Sequence, residues 1–266
     1  MSGPEHILID RPAPAVQRIT LNRPDKRNAL SNALRREIFT ALEDADRDAE
    51  IRVSILRGAG KCFSSGFDLA SDLSADQPGY TAEGDGHWSR HVTQGWFGMW
   101  DLAKPVIAQI HGYAMAGGTE LATACDLVYV AEDAKIAYPV VRLVSPPDSQ
   151  FFPFLVGMRQ AMELMLTGDA ISGARAAEIG FANRAFPAEA LDARVLEIAE
   201  RVAKIPSDLQ QLNKRSVHRA MEIQGVRTAL RAGSELQALA THQRSVKAFL
   251  DDIAESMKQA FDKPKD

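Results

Sequence analysis

The fold is decided by residues 104–126, which read KPVIAQIHGYAMAGGTELATACD. Residues 106–110 are rich in β-branched side chains and predict a buried strand, and Gly117 and Gly118 allow a close backbone approach before a helix that begins near Glu120. The exposed N–H groups at the start of a helix stabilise an oxygen atom that gains negative charge. The segment therefore fits an oxyanion site, and it also fits a tight strand-to-helix connection in which Glu120 caps its own helix.

The composition is that of an ordinary globular protein. The 266 residues suffice for one large domain or for a core with a smaller appendage, and the formal net charge is -4. Cys62 and Cys125 form no closely spaced metal motif, and no apolar run approaches the roughly 20 residues of a membrane span. We therefore expect a soluble cytoplasmic protein without a metal, a membrane anchor or a general affinity for nucleic acid.

Strand and helix patterns alternate in the first half of the chain. Residues 7–10 and 16–21 predict a hairpin, Ser31 can cap a helix over residues 32–49, and strands are expected at 53–57, 106–110 and 127–131. This alternation is typical of α/β crossovers around a largely parallel sheet. A polar stretch at residues 71–86 predicts a mobile loop, and the aromatic helix after it predicts core or subunit contacts. Beyond Pro153 the pattern is helical, over residues 160–166, 173–179, 188–203, 209–223 and 226–249.

A second glycine-rich turn follows the strand at 53–57 and reads GAGKCFSSGFDL over residues 58–69. It again places glycine before a predicted helix, in which Asp68 is an early acidic residue. A Walker loop requires Ser or Thr where this chain has Cys62, and the dinucleotide-binding pattern requires Gly where it has Phe63. Two strand-ending glycine turns about fifty residues apart can instead converge on one acyl oxygen, because this needs only main-chain N–H groups.

Three segments, in this order and spacing, resemble the crotonase (enoyl-CoA hydratase/isomerase) superfamily: NRPDKRNAL at 22–30, FSSGFDL at 63–69 and GGTEL at 117–121. The resemblance continues at residues 155–157, 166–168 and 176–180, and so covers nearly the whole chain. It implies an α/β fold with a crotonase-like ββα spiral core over residues 1–200 and a C-terminal helical oligomerisation region over residues 201–266. It also implies a homotrimer or a dimer of trimers that acts on an acyl-CoA thioester and needs no cofactor beyond the coenzyme A of its substrate.

The resemblance also implies roles for individual residues. By position, the backbone N–H groups of Phe67 and Gly117 form the oxyanion hole for the thioester carbonyl. Glu120 occupies the first of the two positions that usually carry the hydratase carboxylates. The residues expected to bind coenzyme A are Lys26, Arg27, Ala29, Ser65, Asp68 and Leu69.

The second carboxylate position departs from the family pattern, because Val140 follows the Tyr138-Pro139 pair where the family usually has Glu. Two glutamates hold and activate the water that adds to the double bond, and general acid–base groups contribute about 10² to 10⁴ in rate. The loop over residues 142–150 is shorter than usual, which can bring Asp148 into the pocket as a catalytic residue. Asp148 is also explained as an ordinary turn or N-cap residue beside Ser149.

Two opposing influences act on Glu120. A helix N-terminus stabilises the charged carboxylate and favours a base, whereas burial against Met115, Phe67 and an acyl chain raises the pKa and allows proton donation. His111 and His87 are alternative bases.

Three functions remain open at this stage. The first is an acyl-CoA enzyme of the hydratase/isomerase type, in which Glu120 transfers a proton or orients water. The second keeps the oxyanion site but changes the reaction to thioester hydrolysis, decarboxylation or double-bond migration, as Val140 suggests. The third is a non-catalytic paralogue that binds acyl-CoA, RNA or a partner.

Overall fold

The computed structural model describes residues 4–68, 87–249 and 251–252, so Leu69 and the predicted loop at 71–86 lie outside the described residues. The strands are β1 Ile7–Ala13, β2 Val16–Leu21, β3 Val53–Gly58, β4 Val106–Ile110, β5 Tyr113–Met115, β6 Leu127–Ala131, β7 Lys135–Ala137, β8 Ile171–Ser172 and β9 Arg184–Phe186. The larger sheet has the order β1-β2-β3-β4-β6-β9 and is parallel apart from the β1–β2 hairpin. The smaller sheet has the order β5-β7-β8. The expected α/β core is therefore confirmed.

The region beyond Pro153 is mostly helical, as predicted, but it also contains β8 and β9, which the sequence did not predict, and β9 completes the larger sheet. The helices are α1 Asn32–Arg47, α2 His87–Asp101, α3 Gly117–Thr123, α4 Phe152–Thr167, α5 Gly173–Glu178, α6 Leu191–Ala203, α7 Ser207–Ile223 and α8 Val226–Thr241. Ser31 caps α1 as expected, since its side chain accepts a hydrogen bond from the backbone N–H of Leu34 at 3.2 Å. Within the described ranges, no helix is long and apolar enough to cross a membrane.

Several predicted boundaries are wrong. Helix α3 begins at Gly117 instead of near Glu120. Helix α4 begins at Phe152, but it is broken at Gly157, which has a non-helical φ of 74°, and its second part begins close to the predicted residue 160. The helix predicted after the turn at 63–68 lies outside the described residues, and within them Phe67 forms a β-bridge with Leu30. Strands β5, β7 and β8 have two or three residues each, too few for a period-two pattern to show in the sequence.

Helix α7 is anchored to the sheet through the carboxylate of Asp126. Asp126, just before β6, accepts hydrogen bonds from the backbone N–H of Val106 at 2.8 Å and ion pairs with Lys214 of α7 at 2.9 Å. His218, one turn further along α7, lies 3.1 Å from the other Asp126 oxygen. Helix α7 is thereby tied to β4, the strand that leads into the glycine turn before α3.

Gly112 connects β4 to β5, and a substitution there tests whether the connection has room for a side chain. Its φ is +62°, and a Cβ atom there would lie 2.0 Å from the Lys61 carbonyl oxygen. We expect Gly112→Ala to lower the free energy of unfolding by roughly 3 kcal/mol or more. Alanine is strained in the left-handed conformation, and its Cβ also clashes with the backbone of Lys61, so the two costs are summed. The matched control is Gly225→Ala: Gly225 also has a positive φ, +88°, but no described atom within 4 Å of the added Cβ. Its expected loss is about 1 kcal/mol. Urea unfolding of both variants measures the difference, and equal losses would contradict the packing argument.

Candidate active site

Backbone hydrogen bonds hold the two glycine-rich turns side by side. The N–H groups of Phe63 and Ser64 donate to the Tyr113 carbonyl oxygen at 3.1 and 3.3 Å, and the N–H of Met115 donates to the Ser64 carbonyl oxygen at 3.0 Å. These bonds join the end of the first turn to β5. The segments that carry Phe67 and Gly117 therefore leave the sheet next to each other.

Phe67 and Gly117 are in direct contact, because a Cβ atom on Gly117 would lie 2.7 Å from the Phe67 ring. Gly66 has a φ of +103°, and a Cβ there would approach the Gly117 nitrogen to 3.2 Å. The N–H groups of Thr119 and Glu120 turn back to the Ala116 carbonyl oxygen, at 2.8 and 3.2 Å. The Gly117 N–H stands at the first position of α3, where a helix offers no intrahelical acceptor.

The residue before α3 has an uncommon conformation. Ala116 has φ 50° and ψ -123°, which costs a non-glycine residue about 1–3 kcal/mol. Its N–H donates to the Ala137 carbonyl oxygen at 3.0 Å, and the Thr119 hydroxyl donates to the same oxygen at 2.9 Å. Strand β7 thus fixes the backbone that presents the Gly117 amide.

The Glu120 side chain is fully buried beneath this turn and does not cap its own helix, so the capping interpretation is wrong. Trp96 Nε1 of α2 donates to Glu120 Oε2 at 3.1 Å, and the backbone N–H of Asp148 donates to Oε1 at 3.2 Å. The hydroxyl of buried Tyr138 also hydrogen bonds to this carboxyl group. Three different segments therefore converge on one carboxyl group.

Burial decides the ionisation of Glu120. Removal from water, followed by the charge of Asp148, raises the pKa of Glu120 well above its usual value, although hydrogen bonds from Trp96, Tyr138 and the Asp148 N–H oppose the shift. Burial also raises the pKa of Tyr138 well above that of a free phenol, helped by the same two carboxylates. Glu120 thus keeps its proton to a higher pH than an exposed glutamate and can act as an acid.

Asp148 lies in the loop before α4 and is buried beside Glu120. The N-cap interpretation of Asp148 is wrong, because α4 begins at Phe152 and its N-cap residue is Phe151. The Thr93 hydroxyl donates to the Asp148 carbonyl oxygen at 3.3 Å and lies 3.2 Å from the hydroxyls of Ser149 and Ser234. This buried network ties the loop to α2 and α8, and it brings the two predicted catalytic carboxyl groups together.

Helix α8 packs directly on the Asp148 loop at Gly233. A Cβ atom there would lie 2.8 Å from the Asp148 carbonyl oxygen. We expect Gly233→Ala to displace the loop and to lower the free energy of unfolding by about 1–3 kcal/mol through overpacking. Gly98→Ala in α2 is the matched control, because no described atom lies within 4 Å of its added Cβ; there, alanine is expected to add up to about 1 kcal/mol. Urea unfolding measures both, and a neutral Gly233→Ala would contradict the close contact.

A cavity of about 550 Å³ opens beside the two turns. Two of the residues predicted to bind coenzyme A line it, Arg27 and Ser65, and the Ser65 N–H donates to the Arg27 carbonyl oxygen at 3.0 Å. The other lining residues had no predicted role in binding coenzyme A; they are Pro24, Lys61, Cys62, Tyr113 and Met115. The cavity thus has basic groups at Arg27 and Lys61, and Met115 connects it to the turn before α3.

The other predicted coenzyme A residues are placed differently. Asp68 forms an ion pair with Arg23 at 2.8 Å, and the same guanidinium group donates to the Ala29 carbonyl oxygen. Lys26 is exposed in the 3-10 turn Pro24–Lys26. Among the described residues, these three do not line the 550 Å³ cavity.

The alternative bases do not join the carboxyl pair in the described structure. His111 Nε2 lies 2.9 Å from the Gly60 carbonyl oxygen, and His111 lines a different cavity. The side chain of His87 lies outside the described part of the chain. Val140 is half-buried in the 3-10 turn Pro139–Arg142, directly after Tyr138.

Three side chains were not predicted from the sequence to belong to the site: Trp96, Tyr138 and Arg35. Trp96 was expected in a core or subunit contact. Its ring is buried in the core, and its N–H also donates a hydrogen bond to Glu120. Arg35 is only 2% exposed. A signal for it existed, because helical spacing places Arg35 on the buried face of α1 with Ile38 and Leu42.

The sequence profile of the enoyl-CoA hydratase/isomerase family matches residues 12–264, and the chain belongs to this family of enzymes. It is 35% identical to a putative enoyl-CoA hydratase, EchA13, of Mycobacterium tuberculosis over 80% of this chain and 73% of that one. It is 34% identical to the mitochondrial enoyl-CoA hydratase of Pongo abelii, over 82% and 72% of the two chains. A crystal structure of an enoyl-CoA hydratase/isomerase from Xanthobacter autotrophicus Py2 superposes with a TM-score of 0.86 at 34% identity, covering 96% of this chain and 95% of that chain. The fold is therefore the crotonase fold that the sequence resemblance implied.

Proposed function

We propose that this enzyme adds water across the double bond of an enoyl-CoA thioester. The N–H groups of Phe67 and Gly117 bind the thioester oxygen and stabilise the enolate that forms when the double bond is attacked. The contact between these two residues and the position of Gly117 at the start of α3 support this assignment. Arg27 and Lys61, which line the neighbouring cavity, are proposed to meet the phosphates of coenzyme A.

Glu120 and Asp148 are the proposed proton carriers. The water oxygen forms a bond to the β-carbon of the substrate, one water proton passes to Asp148, and the electrons of the double bond move to the thioester oxygen. Glu120 then gives its proton to the α-carbon and recovers a proton from Asp148. The raised pKa of Glu120 suits the acid role, since the group is still protonated when the enolate forms.

The observation that carries this proposal is the hydrogen bond from the Asp148 N–H to Glu120 Oε1. It supports the proposal because it brings the backbone of Asp148, a residue that carries a second carboxyl group, next to Glu120, although Val140 occupies the position where the family resemblance implies Glu. The test is to incubate the enzyme with crotonyl-CoA and identify the product by mass spectrometry. A hydroxyacyl-CoA is expected, and an unchanged substrate or free coenzyme A would contradict hydration.

Val140 also favours a second candidate, migration of the double bond within an enoyl-CoA. Moving a proton from one carbon to another needs a single carrier, which Glu120 alone can supply. A 3-enoyl-CoA substrate separates the two reactions. Conversion to the 2-enoyl isomer without later hydration would favour isomerisation, whereas a hydroxyacyl product would favour hydration.

We propose that the enzyme works as a homotrimer or a dimer of trimers, with the helices after residue 200 contributing to assembly. Helix α4 exposes Met158, Met162 and Leu166 at intervals of one helical turn, and α7 exposes Leu209 and Leu212. Apolar patches of this kind are usual at subunit interfaces. Sedimentation equilibrium of the full chain measures the assembly state, and a monomer at micromolar concentration would contradict it.

A further inference from the structure

Helix α2 contacts both of the proposed proton carriers from one face. The Thr93 hydroxyl donates to the Asp148 carbonyl oxygen at 3.3 Å, and Trp96 Nε1 donates to Glu120 Oε2 at 3.1 Å. Residues three apart lie on the same side of a helix, so this face reaches the Asp148 loop and the Glu120 side chain together. Both contacts are buried, since Thr93 is 3% exposed and Trp96 is 1% exposed.

The Trp96 ring is held in place by its neighbours. Phe39 of α1 meets it edge-on, with the ring centres 5.9 Å apart and the ring planes at 79° to each other. A Cβ atom on the adjacent Gly95 would lie 2.7 Å from the Phe39 ring, so α1 and α2 are in close contact at this level. Because a packed core keeps a side chain in one rotamer, the indole N–H points at Glu120 from a fixed position.

Two of the hydrogen-bond partners of Glu120 can donate but cannot accept. An indole N–H and a backbone N–H have no acceptor site, so neither Trp96 nor the Asp148 amide can take the proton of a protonated Glu120. They bind different oxygens of the carboxyl group, Oε2 and Oε1, and together they fix its orientation. Of the three described donors to Glu120, only the Tyr138 hydroxyl can also accept a hydrogen bond.

We propose that Trp96 is a positioning residue, whose indole N–H holds the Glu120 carboxyl group in the orientation from which it protonates the α-carbon of the substrate. This rests on the proposed role of Glu120 as the acid. A glutamate side chain has considerable rotamer freedom, and an acid displaced by about 1 Å can lose about 10² in rate. The bond from Trp96 supplies the constraint without drawing the proton away from the substrate.

The same hydrogen bond affects the ionisation of Glu120. A donor stabilises a carboxylate more than a carboxylic acid, so loss of the Trp96 N–H raises the pKa of Glu120 further. Among the described residues, the titratable groups that face Glu120 are Asp148 and Tyr138, and Arg35 of α1 interacts with its charge. All three lie outside α2. A change at Trp96 therefore removes one hydrogen bond and alters no charge.

The test removes an indole N–H at each of two positions on α2. Trp96→Phe is compared with Trp100→Phe, the matched control, because the Trp100 N–H has no hydrogen-bond partner among the described residues. Glutamate carboxyl carbons are labelled with carbon-13, the Glu120 signal is identified by its loss in Glu120→Gln, and its titration is followed by NMR without substrate. We expect Trp96→Phe to move this titration upward by about one pH unit and Trp100→Phe to leave it unchanged.

Hydration of crotonyl-CoA provides the second readout. We expect Trp96→Phe to lower kcat by about tenfold, as for the loss of one hydrogen bond. KM is expected to stay close to the wild type, because Trp96 is not among the described residues that line the 550 Å³ cavity. Since Glu120 acts in its protonated form, the alkaline limb of the pH–rate profile moves upward with the titration. Trp100→Phe is expected to keep the wild-type kcat and profile.

The titration separates this inference from the proposed reaction. An upward shift in Trp96→Phe without hydration by the wild type would support the hold of Trp96 on Glu120 and overturn the hydratase assignment. Hydration by the wild type with an unshifted Glu120 titration in Trp96→Phe would overturn the role of Trp96, whether or not kcat falls. If Trp96→Phe does not fold, 3-benzothienylalanine at position 96 decides, because sulfur replaces the N–H in a ring of nearly the same shape. An unshifted titration there would equally overturn the role.

Discussion

Glu120→Gln is expected to lower kcat on an enoyl-CoA by about 10³-fold, within the range that general acid–base groups contribute. The glutamine amide fills the same space, but its one oxygen can accept from only one of the two donors, Trp96 or the Asp148 N–H, and it cannot give a proton to the α-carbon. Steady-state hydration of crotonyl-CoA measures the effect. Glu132→Gln is the control, because Glu132 is exposed, and it is expected to keep wild-type activity. Equal activity of Glu120→Gln and wild type would remove Glu120 from the mechanism.

The same substitution is expected to remove a pH-dependent loss of folding stability. The pKa of Glu120 is raised in the folded protein, so the folded state keeps a proton that the unfolded chain releases above about pH 4.5. The stability of the wild type therefore falls as the pH rises from the unfolded towards the folded pKa, and glutamine, which does not titrate, avoids this fall. Thermal unfolding at several pH values is expected to show that the gain in Tm of Glu120→Gln grows over this interval. A pH-independent difference would contradict the raised pKa.

Asp148→Asn is expected to lower kcat by about 10² to 10³, because the amide cannot accept a proton from water. The backbone N–H that bonds to Glu120 is retained, so the loss reports on the side chain itself. Removing the negative charge also lowers the pKa of Glu120, and the alkaline limb of the pH–rate profile should move to lower pH.

The control for this variant is Asp133→Asn, an exposed aspartate for which wild-type kcat and an unshifted profile are expected. If Asp148→Asn retains full hydration activity with an unshifted profile, a group other than Asp148 accepts the water proton. Retained isomerisation with lost hydration would instead show that Glu120 moves protons alone.

The sequence predicted the architecture because its signals are local. Short apolar runs rich in β-branched residues define β2, β3 and β4, and the Ser31 cap with apolar positions three and four apart defines α1. The glycine turns and the motifs around Gly66 and Gly117 were enough to identify the family and hence the fold. Strands β5, β7 and β8 escaped prediction, because two or three residues gain their conformation from neighbouring strands and not from their own pattern.

The site was predictable only in part, because long-range packing decides its chemistry. Phe67, Gly117 and Glu120 were assigned by motif and Asp148 by the short loop that carries it, and their roles remain predictions. The Asp148 loop hydrogen bonds to Glu120 and is packed against α8 at Gly233, and no local pattern reveals either contact. The sequence did not predict whether Glu120 is ionised, since its ionisation depends on how completely the folded chain excludes water from the carboxyl group.

The central claim is that two backbone N–H groups and the Glu120–Asp148 pair hydrate an enoyl thioester. The most direct measurement is the loss of absorbance of the conjugated thioester when crotonyl-CoA is mixed with the wild-type enzyme, with Glu120→Gln run beside it. We expect turnover by the wild type and a loss of about 10³-fold in the variant. A wild type that binds crotonyl-CoA but leaves its absorbance unchanged, or a variant as fast as the wild type, would contradict the claim.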